Sequence, residues 1–146
     1  MTTMTTVRDI LDRKGHQVWT IQPDESVYRA LEIMSERNVG ALMVMDGDRL
    51  IGVMSERDYA RKIALAGRAS RVTTVRDIMT NDVLCIAPHT RIEECMALMT
   101  EKTVRHLPVV DGDRVDGIIS IGDVVKATIM DQEFVIEQLE HFIAGR

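Results

Sequence analysis

Apolar residues recur along this chain in two rhythms. Val27, Ala30, Leu31 and Met34 fall at i, i+3, i+4 and i+7, one face of a helix, and Ile92, Cys95, Met96 and Met99 repeat that spacing. The stretch "ALMVMDGDRLIGVMS" at 41–55 reads as an apolar run, an Asp-Gly turn and a second apolar run, the pattern of a β-hairpin. Brief strands are expected in "VWTI" and "VLCI", each closed by a proline turn, and Thr90 to Glu93 has the spacing of a capping box. A last helix is expected in "ERDYARKIALA" and again in "IGDVVKATIM". Behind a short helical "VRDI" segment, the order strand–helix–strand–strand–helix therefore occurs twice.

The two sets are copies of one another. Aligned at an offset of 65, Val39–Asp58 and Val104–Asp123 share ten of 20 positions, and Pro23, Met34 and Glu36 map onto Pro88, Met99 and Glu101. "VRDI" at 7–10 recurs at 75–78 with an offset of 68, so the first copy carries three extra residues inside "LDRKGHQVWT". The predicted divisions are a first repeat at 7–66, a polar connector at 67–74, a second repeat at 75–130 and a C-terminal amphipathic helix at 131–146. A copy of this size has too little core to be secure alone, so the expected fold is α/β (α+β), with two repeats packed sheet against sheet as one pseudo-two-fold module. Val135, Ile136, Leu139, Phe142 and Ile143 form one stripe on the last helix, which needs a cover from its own module or a second subunit.

Composition narrows the function. A formal net charge of −5 and 3% aromatic residues argue against a nucleic-acid partner. No apolar run approaches the ~20 residues that span a bilayer, which argues against a membrane. Two cysteines make no framework, and a cytoplasmic protein with reduced thiols is expected.

Catalytic motifs fail one by one. "GDRLIGVMS" has phosphate-loop glycine spacing, but Val53 stands where the lysine belongs, and no G-x-G-x-x-G occurs. The histidines form no H-x-x-x-H pair, and Cys85 with His89 supplies only two of the ligands a zinc site needs. No G-x-S-x-G elbow is present. The expectation is no enzyme, no metal and no catalytic cofactor.

What remains is "GVMSERD" at 52–58 and "GIISIGD" at 117–123. Ser55 with Asp58, and Ser120 with Asp123, have the spacing of helix N-caps, worth about 1 kcal/mol per helix. Capping leaves Gly52 and Gly117 unexplained; glycine at a strand end admits a flat ring or a second backbone. A helix start also offers N–H groups to phosphate, and an aspartate there can accept two ribose hydroxyls.

The doubled pattern, with "LPVVDGDRVDG" ahead of the second copy, resembles the cystathionine-β-synthase-type (CBS) domain over residues 7–130. The resemblance implies tandem pairs that fold as one module, often dimeric, and that bind adenosine-containing ligands in clefts between the paired domains. Carried over, it implies that Asp58 and Asp123 hold ribose hydroxyls and that Ser55 and Ser120 contact phosphate or ribose. Backbone groups at Thr20–Ile21 and Cys85–Ile86 read adenine, and Leu42–Val44 and Leu107–Val109, with Pro108, wall the base. Arg57 and Arg105 are assigned to phosphate. His106 is open between ligand contact and a satisfied buried histidine, and Arg61 and Lys62 read as a solvated helix face. Met43 stands where Pro108 stands in the second copy, so two non-equivalent sites are expected.

The function these residues point to is a regulatory sensor of AMP, ADP, ATP or NAD(H), a homodimer acting in trans on a protein target. The rival reading is a dimerisation scaffold on the same fold that binds no ligand.

Overall fold

A computed structural model describes residues 5–145. Its elements are α1 (Val7–Lys14), β1 (Thr20–Ile21), α2 (Val27–Arg37), β2 (Ala41–Asp46), β3 (Arg49–Ser55), α3 (Glu56–Tyr59) running on into a π-helical turn (Ala60–Ala64), α4 (Val75–Ile78), α5 (Ile92–Lys102), β4 (His106–Asp111), β5 (Arg114–Ser120) and α6 (Ile121–Gly145). This is the mixed α and β architecture, written twice, that the apolar rhythm predicts.

The compact units do not coincide with the sequence repeats. Unit I comprises residues 17–84 with 113–115; of the described residues, unit II comprises 5–16, 85–112 and 116–145. Each "VRDI" helix thus docks on the other copy's strands and helices. In unit II the Val7 N–H donates to Thr90 O at 2.8 Å and the Arg8 N–H to Pro88 O at 2.8 Å. In unit I the Val75 N–H donates to Glu25 O and the Arg76 N–H to Pro23 O, both at 2.9 Å. The bridges Thr6–Arg91 and Ser26–Thr74 complete the matched pair of exchanges. Burial drives them. Val7, Leu11 and Val75 have no exposed surface, Ile10 and Ile78 almost none, and each such side chain contributes about 1.5–3 kcal/mol when buried.

Unit I holds a three-stranded sheet in the order β1-β2-β3. β1 runs parallel to β2, with Thr20 opposite Met43 and Ile21 opposite Val44. β2 and β3 are antiparallel, and their register shifts between Val44 and Met45, so that Val44 faces Gly52. In unit II, β4 and β5 pair, and the counterpart of β1 is a single parallel bridge, Ile86 to Val109. The Met43 N–H donates to Trp19 O at 3.1 Å, whereas Pro108 at the matching position has no N–H to give. The departure of Met43 from proline therefore appears first as a longer strand.

Two local expectations are revised. α5 begins at Ile92, so Thr90 and Glu93 do not form a capping box. The Thr90 hydroxyl accepts the Ala87 N–H at 3.2 Å, and it is Glu94 that accepts the Arg91 N–H, at 3.4 Å. The helix after Ser120 does not end near 130; α6 is one helix of 25 residues, because nothing between Asp123 and Ala144 breaks it. Its stripe is uncovered, with Ile136 55%, Leu139 57% and Phe142 79% exposed.

Candidate functional site

Each unit carries the same device at the start of the helix that follows its hairpin. In unit I the Ser55 hydroxyl accepts the Asp58 N–H at 3.2 Å, and Asp58 Oδ2 accepts the Ser55 N–H at 3.0 Å and its hydroxyl at 3.1 Å. In unit II the Ser120 hydroxyl accepts the Asp123 N–H at 3.2 Å, and Asp123 Oδ2 accepts the Ser120 N–H at 2.8 Å. The first helical N–H is used as well: Glu56 donates to Gly40 O at 3.0 Å and Ile121 to Arg105 O at 2.9 Å. Two of the first three N–H groups in each helix are thus engaged inside the protein.

Both aspartates have a lysine that the pattern of the motif does not contain. Lys62 Nζ lies 3.3 Å from Asp58 Oδ1 and donates to Ile78 O at 2.9 Å. It therefore anchors the device and is not a simple solvated face. The Thr80 hydroxyl donates to the same Oδ1 at 3.2 Å, and Asp58 is buried. In unit II, Lys14 Nζ lies 2.7 Å from Asp123 Oδ2 and donates to Ile118 O at 3.0 Å. Burial pushes the Asp123 carboxyl up, but the Lys14 ammonium and the Ser120 N–H outweigh it and hold that carboxyl below the ordinary value of 3.8.

The glycines admit neighbours from the exchanged segments. A Cβ at Gly52 would stand 2.6 Å from Met79 Sδ and 3.0 Å from Thr80 O; one at Gly117 would stand 2.7 Å from Leu11 Cδ2. What approaches Gly52 is thus a side chain and a second backbone, and what approaches Gly117 is a side chain.

The remaining predicted residues divide by exposure. Leu42, Val44, Leu107 and Val109 have no exposed surface and belong to the cores, and Pro108 is buried too. Thr20 is exposed at the start of β1 beside buried Ile21, and Cys85 is exposed next to buried Ile86, the residue of the single bridge. Both backbone groups of Ile86 are committed to β4, to Pro108 O at 2.9 Å and the Val110 N–H at 2.8 Å. Arg57 and His106 are half-buried, and Arg105 is exposed. Beside the unit I device lies a cavity of about 370 Å³, lined by Leu31, Met34, Ser35, Asn38, Val39, Gly40 and Glu56; none of the predicted contacts lines it. Reading the sequence missed Lys14, Lys62 and Thr80 as partners of the aspartates. Lys62 was detectable, four residues after Asp58 on one helix face; Lys14 and Thr80 are distant in sequence and carried no signal. Among the described residues no group of three or more His, Cys, Asp or Glu side chains is placed to hold a metal ion, and no helix is long and apolar enough to cross a membrane.

Comparison with known proteins finds the same duplication. The CBS domain family model matches residues 7–65 and again 75–129. The chain is 38% identical over 151 residues to the CBS domain-containing protein CBSX3, mitochondrial, of Arabidopsis thaliana, covering 97% of this chain and 73% of that one. The crystal structure of the CBS-domain containing protein ATU1752 from Agrobacterium tumefaciens matches with a TM-score of 0.81 and 40% identity, over 85% of this chain and 99% of that one. The CBS domain pair of protein MJ0100, in complex with 5'-methylthioadenosine and S-adenosyl-L-methionine, matches with a TM-score of 0.75 and 25% identity, over 85% of this chain and 95% of that one.

Proposed function

The chain belongs to the CBS domain family, and on that premise we propose that it is a regulatory module that binds adenosine-containing ligands and acts in trans on a protein target. The observation that carries this reading is the duplicated Ser–Asp device: in both units a carboxylate stands at a helix start, oriented by the serine three residues before it. Asp58 and Asp123 would accept ribose hydroxyls there. In unit I the ribose would compete with Thr80 and Lys62 for Asp58; in unit II it would compete with Lys14 for Asp123. A displaced ammonium then lies beside the ligand, where it suits a phosphate. AMP, ADP, ATP, NAD(H) and S-adenosylmethionine share the required ribose and adenine. The MJ0100 complex supports the class of ligand.

Signalling would work by differential binding, with the ligand stabilising the arrangement it fits better; a coupling of about 1–3 kcal/mol is enough for regulation. Self-association as a homodimer and a location in the cytoplasm belong to the same reading, which assigns the chain no reaction of its own.

One observation favours the second reading, a scaffold that binds no ligand: both carboxylates already accept the N–H of the serine that caps their helix. Calorimetric titration with AMP, ADP, ATP, NAD+, NADH and S-adenosylmethionine, with GMP as control, separates the two. The sensor reading expects adenine ligands to bind and Asp58→Ala and Asp123→Ala each to remove part of that binding. At ~100 times its dissociation constant each ligand should also add about 2.7 kcal/mol per site, several degrees in melting temperature. If no adenine ligand binds the parent protein, the scaffold reading replaces it.

A further inference from the structure

At one matched place the two repeats carry opposite charge, and in unit I a hollow lies there. The cavity of about 370 Å³ beside the unit I device is lined at the end of α2 by Met34, Ser35 and Asn38, and beyond it by Gly40 and Glu56. At the offset of 65 that aligns the copies, Gly40 corresponds to Arg105 and Glu56 to Ile121. Unit II thus carries a guanidinium where unit I has no side chain, and unit I carries a carboxylate where unit II has an apolar group. The backbone is alike in both. Asn38 and Thr103 close the preceding helices in the same left-handed conformation, at φ 54° and 55°. The Glu56 N–H donates to Gly40 O at 3.0 Å, and the Ile121 N–H to Arg105 O at 2.9 Å. Side chains alone invert the local charge.

The hollow offers acceptors to N–H donors. Glu56 brings a full negative charge, and the C-terminal end of the 11-residue α2 adds the negative pole of its dipole. The Asn38 amide oxygen and the Ser35 hydroxyl are further acceptors among the lining groups. Among the described residues none of these three side chains has a hydrogen-bond or ion-pair partner, and no basic side chain lines the cavity. The cations of α2 are engaged elsewhere: Arg29 lies 3.6 Å from Glu32 and 3.8 Å from Glu36, and Arg37 stacks on Trp19 at 4.2 Å. A phosphate would be repelled here. A planar guanidinium can give two parallel N–H donors to the carboxylate and keep others for the amide and hydroxyl oxygens. The volume suits a small molecule or one long side chain.

We propose that this hollow is a second ligand site, separate from the Ser55–Asp58 device, and that it takes a guanidinium cation. The group that unit II carries in its own chain at Arg105 comes to unit I from outside, either on a free guanidino compound or on an arginine side chain of a docking protein. The site uses none of the contacts assigned above to ribose, adenine or phosphate, so it stands or falls independently of the adenosine reading.

The test is calorimetric titration of the full chain with two cations. Agmatine represents the free guanidino compound, and N-acetylarginine amide stands in for a protein side chain; N-acetylcitrulline amide is the uncharged control. At least one cation should bind the parent, and the citrulline compound should not. Tighter binding of agmatine assigns a free cation, and equal or tighter binding of the arginine amide assigns a side chain. Glu56→Gln keeps the shape and removes the charge, and should raise the dissociation constant at least about tenfold. Gly40→Arg installs the residue of the second copy and should abolish binding in a protein whose melting shows it folded; should that variant fail to fold, Glu56→Gln decides alone. Binding of neither cation, binding of the citrulline control as tightly as of the cations, or cation binding unchanged by Glu56→Gln or by a folded Gly40→Arg overturns the proposal.

Discussion

Lys14 Nζ lies 2.7 Å from Asp123 Oδ2 and 3.0 Å from Ile118 O, and through these two contacts it takes the place that Thr80 holds in unit I. There the Thr80 N–H donates to Val53 O at 2.9 Å, the carbonyl equivalent to that of Ile118, and its hydroxyl donates to Asp58. Unit I uses a strand-like backbone and a hydroxyl there, beside the Lys62 ammonium on its own helix; unit II uses the Lys14 ammonium at the end of a longer helix. The three extra residues of the first copy lie in this segment, where α1 runs for eight residues and α4 for four.

Removing that ammonium should make stability less dependent on pH in the acid range. Asp123 is held below 3.8, so its contribution is full above the ordinary carboxylate value and is lost as pH falls through the lowered one. Lys14→Met should cost about 1 kcal/mol near neutrality, a modest figure because the lysine is partly exposed and solvent screens the pair. Melting temperatures followed from pH 7 into strong acid should show the gap between parent and variant closing as Asp123 is protonated. A gap that persists there would sink the assignment to this ion pair.

His16 should titrate above its ordinary value. Its Nδ1 lies 3.1 Å from Asp116 O and its Nε2 3.2 Å from Asp12 Oδ1, and only the imidazolium can donate to both acceptors. The Asp116 carbonyl first, and then the Asp12 carboxylate, raise its pKa. What it adds to stability is therefore present in full below pH 6.5 and fades as pH rises through the raised value. Proton NMR of the ring should find His16 above 6.5, and Asp12→Asn should lower it.

Alanine at either hairpin glycine should destabilise the fold by about 1–3 kcal/mol, as overpacking does. Gly117→Ala drives its Cβ into Leu11, so the pair Gly117→Ala with Leu11→Ala should lose less than the two single losses combined. Gly52→Ala also meets Thr80 O, which is fixed in a bridge to Val53, so trimming Met79 should rescue it less completely. Urea unfolding of both cycles measures the two couplings; strict additivity at residues 11 and 117 would refute the contact.

The two thiols should differ in reactivity. Cys95 is fully buried, and burial with Glu94 and Glu93 nearby pushes it up to about 11, while Cys85 is exposed beside the Ile86 bridge. One thiol per chain should react with an aromatic disulfide reagent in native protein at pH 8, and the second only on unfolding. Labelling of Cys95 at the rate of Cys85 would contradict the packing of α5.

Much of this molecule is legible one segment at a time. The i, i+3, i+4, i+7 spacing places α2 and α5, the Asp-Gly pairs place both hairpins, and the repeat puts Ser55 with Asp58 and Ser120 with Asp123 at helix starts. These features depend on contacts within a few residues, so the order of side chains determines them. The ends of helices were less legible, because caps depend on which carbonyls and hydroxyls the neighbouring turn presents; Thr90 is engaged by Ala87 before it can cap α5.

By itself, then, the sequence determined a duplicated strand–helix–strand–strand–helix unit with a serine and an aspartate at matched helix starts. Only the tertiary structure decided which "VRDI" segment serves which unit and which cation meets each aspartate. The physical reason lies in the repeat itself. Val7 and Ile10 offer the same apolar face as Val75 and Ile78, so side-chain chemistry does not distinguish their two docking places. Chain connection and the packing of Leu11 or Met79 against a glycine make that choice, and Lys14 reaches Asp123 only after it has been made.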